Sequence, residues 1–74
     1  MKYEVGDYLL HSGGFIVRRV REVGKGSYVM SSLWWDISNY EYGMIENFQW
    51  KDFYVKRALT HSEIENIINK IYPY

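Results

Sequence analysis

The 74 residues carry nine Lys or Arg against nine Asp or Glu and no cysteine, which leaves room for one domain and excludes disulfides, cysteine zinc sites and thiolate nucleophiles. Balanced charge disfavours whole-chain binding to nucleic acid, because counterion release needs a basic surface or a dense patch. The eight Tyr, three Trp and three Phe are the main apolar resource, so a small core has to be closed with rings.

The opening "MKYEVGD" has no apolar run of signal-peptide type, and no stretch of about 18 apolar residues follows. A cytoplasmic location is therefore expected, with no membrane partner. From Tyr8 the chain reads Tyr-Leu-Leu-His, then Ser12-Gly13-Gly14, then Phe-Ile-Val-Arg-Arg-Val-Arg-Glu-Val. Apolar, β-branched runs about a double glycine predict a hairpin whose turn uses a positive φ.

Parity in the second strand places Ile16, Arg18 and Val20 on one side and Phe15, Val17, Arg19, Arg21 and Val23 on the other. A flat strand would bury an arginine. The expected solution is a bulge or sharp bend near Arg18 that turns Val17 and Val20 inwards and all three guanidinium groups outwards.

Gly24-Lys25-Gly26-Ser27 is the next turn, followed by Tyr28-Val29-Met30 as a strand continuing towards Leu33. "WWDISNYE", residues 34–41, reads as a loop or ragged strand, and residues 42–45 as another short strand. "ENFQWKDF", residues 46–53, shows neither period and predicts a turn or single helical turn, and residues 54–57 a last strand. Ile64, Ile67, Ile68 and Ile71 then fall at i, i+3, i+4 and i+7, the apolar stripe of a helix. Thr60 as N-cap and Glu63 at N3 form a capping box, Leu59 and Ile64 a hydrophobic staple, and Pro73 a stop. The expected fold is mainly β: a single domain with a small barrel of about five short strands over residues 3–57 and one C-terminal amphipathic α-helix over residues 60–71.

Catalytic chemistry has little support. His11 and Ser12 are neighbours on a strand and point to opposite faces, so with Asp7 they do not make a triad. His11 and His61 without cysteine or a helical His-x-x-x-His pair give no metal signature. Gly24-Lys25-Gly26 lacks the rest of a phosphate loop. A chain without enzymatic activity, cofactor or metal is the expectation.

Arg18, Arg19 and Arg21 form the densest basic cluster. They are either a solvated outer face balanced by acids such as Glu22, or an interface that uses the planar, multidentate guanidinium group. Trp34, Trp35 and Trp50 are core closures in the simplest reading. Adjacent residues of a strand face opposite ways, so only one of Trp34 and Trp35 can enter the core. The other would be exposed beside arginines and tyrosines, the composition of a binding hot spot or of an aromatic cage for a cation.

The sequence "VGDYLLHSGGFIVRRV", a short gap, "YVM", and "RALTHSEIENIINKI" resembles the RNA-polymerase-interacting domain of the CarD family, shared with the transcription-repair coupling factor. Val5-Gly6-Asp7 matches the opening of its first strand, Gly13-Gly14 its glycine turn, residues 28–30 its aromatic-rich third strand, and residues 57–63 its arginine and capped helix start. The family's usual prolines are replaced by His11-Ser12 and Glu46, and "SSLWWDISNYE" has no counterpart. The resemblance implies an SH3-like or Tudor-like barrel that docks on the β subunit of bacterial RNA polymerase.

The resulting expectation is a cytoplasmic bacterial or phage protein that binds a larger protein, most readily RNA polymerase β subunit, through Arg18, Arg19, Arg21 and whichever of Trp34 and Trp35 is exposed. The alternative is a phage or mobile-element inhibitor of another host protein, such as a defence nuclease. Direct nucleic-acid binding is disfavoured and would fall steeply with salt. Exposed strand edges leave a homodimer open.

Overall fold

A computed structural model of the chain describes residues 2–46 and 49–71. The strands are β1 (Tyr8–His11), β2 (Ile16–Val23), β3 (Tyr28–Asp36), β4 (Glu41–Met44), β5 (Gln49–Trp50) and β6 (Val55–Ala58). They form one antiparallel sheet in the order β4-β3-β2-β1-β6, with β5 paired to the start of β3. A 3-10 turn at Asp52–Tyr54 leads into β6, and a helix over residues 61–71 ends the described chain. The expected mainly β class with one C-terminal helix is observed among the described residues, with six strands. Among the described residues the sheet curls without closing.

Local chemistry explains the turns. Gly14 adopts φ +94° and its N–H bonds to the His11 carbonyl at 2.9 Å, a conformation that side chains with a Cβ rarely take. Between β3 and β4 the carboxylate of Asp36 closes the turn. Its Oδ1 accepts from the Ser38 hydroxyl at 2.7 Å and from the amides of Ser38 and Asn39, and its Oδ2 from the Asn39 side chain. The Ser38 hydroxyl bond, followed by those amides, outweighs burial and holds the Asp36 pKa below its ordinary value.

The sheet is covered on both sides. Leu9 and Leu10, adjacent in β1, fall into different apolar clusters, because successive side chains of a strand point to opposite faces. Leu10, Val17 and Trp35 pack with Leu59, Ile68 and Ile71 on the helix side. Leu9, Val20, Met30, Tyr28 and Trp50 fill the other side. Each fully buried Leu, Val or Met contributes about 1.5–3 kcal/mol. The Tyr28 hydroxyl donates to Asp52 and accepts from the amides of Lys2 and Tyr3, tying the N-terminal segment to the 3-10 turn.

The helix starts as its sequence predicts. The Thr60 hydroxyl accepts from Glu63 N–H at 3.2 Å, and the Glu63 carboxylate from Thr60 N–H at 2.9 Å. Leu59 and Ile64 join the same core cluster. Residues Ile64–Ile68 form a π-helical turn, in which Asn69 N–H bonds to the Ile64 carbonyl, and Ile68 and Ile71 are the buried members of the stripe. The expected stop at Pro73 lies outside the described residues.

Two expectations for the middle of the chain change. Trp34, Trp35 and Asp36 belong to β3, which pairs with β2 on one edge and with β4 on the other. Gln49 and Trp50 form a two-residue strand because Val29 and Tyr28 offer an open ladder. Among the described residues of the stretch 46–53, read as a turn or single helical turn, the helical turn begins at Asp52 and runs to Tyr54.

Candidate protein-binding site

Arg18 corrects the sequence reading. Its side chain is 2% exposed and points, with Ile16 and Val20, to the side away from the helix, as strict parity requires. The expected irregularity is present next to Arg18, in the register shift between Arg18 and Val20, but it does not release the side chain. Arg18 pairs with Trp34 but Val20 with Met30, so the surplus residues lie on β3, and a second shift at Arg21 precedes Glu22 opposite Val29. The irregular stretch of β3 offers the Ser31 carbonyl, which accepts from Arg18 Nε at 2.8 Å and also from Nη2. The guanidinium further lies 5.8 Å from the Trp50 ring centroid, within cation–π range. Burial lowers the Arg18 pKa from its ordinary value.

The other two arginines are exposed, as expected. Arg19 lies opposite Tyr8 in the ladder, with its guanidinium 5.3 Å from that ring, and its Nε donates to the Gly6 carbonyl at 3.2 Å. Arg21 sits at the shift near the end of β2. The cluster is thus contiguous in sequence but divided in space.

The tryptophans divide as parity requires. Trp35 is 4% exposed in the helix-side cluster, where it packs near Tyr8 at 5.5 Å between ring centroids. Trp34 is half-buried on the opposite side, over Gly43. A Cβ at residue 43 would stand 2.6 Å from Trp34 Cζ2, so only glycine lets the indole lie flat on β4. One of the pair was expected in the core and the other exposed; Trp35 is the buried one, and Trp34 is only partly exposed.

Trp34 and Arg18 come together with His11, Ile16, Ile45 and Trp50 around a pocket of about 290 Å³. Arg18 and Trp50 are buried, while Ile45 keeps 45% of its surface exposed. His11 stands edge-on to Trp50 at 5.2 Å and stacks on Tyr54 at 5.9 Å, and its Nδ1 accepts from Gly13 N–H. Beyond His11 lies a second hollow, lined by Gly26, Ser27, Gln49, Lys51 and Tyr54. It lacks the large aliphatic groups that could grip an apolar side chain.

The pocket therefore unites two of the five sequence-derived site residues. Arg19, Arg21 and Trp35 do not line it. His11, Ile16, Ile45 and Trp50 were not singled out for binding, although Ile16 shares the parity of Arg18. Chemically the pocket offers apolar and aromatic contact around one buried cation. Among the described residues no three His, Asp or Glu side chains converge as metal ligands, and no helix is long and apolar enough to cross a membrane. No protein-family model, curated protein or solved structure matches the chain.

Proposed function

We propose that the chain is a non-catalytic protein-binding module that docks on the β subunit of bacterial RNA polymerase. In this reading its curled sheet is a divergent SH3-like or Tudor-like barrel, and the Trp34 pocket is the anchor point. The observation that carries it is the open apolar pocket bordered by a half-exposed indole and Ile45, with a buried arginine beneath. A central apolar pocket that excludes water around an aromatic or arginine is the usual energetic centre of a protein interface. The choice of polymerase rests on the resemblance of the first hairpin and the capped helix to the CarD-type domain.

A pull-down from bacterial lysate tests it. The wild-type chain should retain the β subunit, and Ile45→Asp should lose it, because the carboxylate would be desolvated among apolar groups. Arg19→Ala/Arg21→Ala should retain it, since neither residue lines the pocket. Absence of the β subunit from the wild-type capture overturns the choice of partner. Equal capture by Ile45→Asp overturns the choice of site.

A further inference from the structure

The glycine turn after β2 and the residues of β5 meet around the hollow beyond His11. Tyr28 pairs with Trp50 and Val29 with Gln49, so residues 26 and 27 are held beside residues 49 and 51. The hollow has a volume of about 630 Å³, in the range of small-molecule sites, and is lined by His11, Gly26, Ser27, Gln49, Lys51 and Tyr54. Gly24-Lys25-Gly26 lacks the remaining residues of a phosphate loop in sequence, but the fold brings donors to it from other parts of the chain.

Lys51, His11, Gln49 and Tyr54 each carry a donor. The Lys51 ammonium group makes no ion pair among the described residues, and its side chain caps nothing in the 3-10 turn that it precedes. The His11 Nδ1 accepts from Gly13 N–H at 3.1 Å, which puts the proton of the neutral ring on Nε2. The Gln49 Oε1 accepts from the Ser27 hydroxyl at 3.3 Å, so the amide NH2 is its donor end. Around Gly26 the described residues leave open space, since a Cβ there would meet no atom within 4 Å. The lining residues include no Asp or Glu. Asp52, next to Lys51 in sequence, accepts instead from the Tyr28 hydroxyl.

We propose that this hollow binds a small phosphate monoester of nucleotide size, its phosphate held by Lys51, His11 and Gln49 and its ring laid against Tyr54. A dianion with several acceptor oxygens matches a lining of donors without a carboxylate. Tyr54 stacks on His11 with 5.9 Å between centroids and 14° between planes, and 39% of its surface is exposed, so it can offer aromatic surface to a planar group. Lys51 and Gln49 do not line the Trp34 pocket, so this site stands independently of the partner proposed above.

Amide-detected NMR titration of the full chain with adenosine monophosphate, inorganic phosphate and adenosine, at constant ionic strength, tests the proposal. Adenosine monophosphate should give saturable shifts centred on Gly26, Ser27, Gln49 and Lys51. Inorganic phosphate should saturate the same residues more weakly, and adenosine should not saturate them. Lys51→Ala should keep the wild-type spectrum outside the hollow and bind adenosine monophosphate at least about tenfold more weakly. No saturation by adenosine monophosphate overturns the proposal, as do shifts spread evenly over the basic residues of the chain. Adenosine binding as tightly as its monophosphate, or wild-type affinity in Lys51→Ala, overturns the phosphate seat. Inorganic phosphate binding as tightly as adenosine monophosphate overturns the role of Tyr54.

Discussion

The Arg18 guanidinium forks onto the carbonyl of Ser31, thirteen residues away on the neighbouring strand, through Nε and Nη2. This contact lets a buried strand position hold a charge. It also links the irregular part of β3 to the floor of the Trp34 pocket. Arg18→Ala should lose the fork and leave a void beside Trp50, costing about 2–4 kcal/mol. Arg18→Lys should recover only part of this, because an ammonium group cannot reproduce the planar fork. Urea unfolding of the three proteins measures the order; equal stability of Arg18→Ala and wild type contradicts it.

Gly43→Ala should disturb the site from the other side. A Cβ at 2.6 Å from Trp34 Cζ2 forces the ring off β4, an overpacking of about 1–3 kcal/mol. The displaced indole becomes more hydrated, so a red shift in tryptophan emission should accompany the loss of stability. An unchanged spectrum and unchanged midpoint contradict the close packing of Trp34 on Gly43.

The helix start should give a defined acid response. The Arg57 guanidinium donates to the Glu63 carboxylate at 2.7 and 2.8 Å, and with the Thr60 amide it lowers the Glu63 pKa from 4.5 to about 2. A depressed carboxylate pKa stabilises the fold fully above the unfolded value and is lost as pH falls through the folded one. Glu63→Gln should therefore be less stable than wild type at neutral pH by about 1 kcal/mol, with the gap narrowing as pH falls from 4.5 towards about 2. A gap independent of pH contradicts the assignment. Wild type minus variant is the useful quantity, since Asp36 is also held below its ordinary pKa and is lost in both proteins.

What was legible in the sequence was local. The isoleucine stripe, the Thr60–Glu63 box and the Gly13-Gly14 turn each depend on residues a few positions apart, and each is present. Parity also stated the Arg18 problem correctly, but its solution lies in the pairing of β2 with β3, and no spacing within β2 reports where β3 bulges. The same holds for β5, whose two residues are a strand only because Tyr28 and Val29 are there to pair with them. The pocket was the least legible feature. His11, Ile16, Arg18, Trp34, Ile45 and Trp50 come from five strands or strand ends, and the sheet's curl, rather than a motif, assembles them.

Titration of immobilised wild-type chain with purified RNA polymerase β subunit, beside Ile45→Asp and Arg19→Ala/Arg21→Ala, tests the binding role most directly. The account expects saturable binding by wild type, similar affinity for the double alanine variant, and at least a tenfold loss, about 1.4 kcal/mol, for Ile45→Asp. No binding by the folded wild-type chain, or equal affinity for Ile45→Asp, contradicts it.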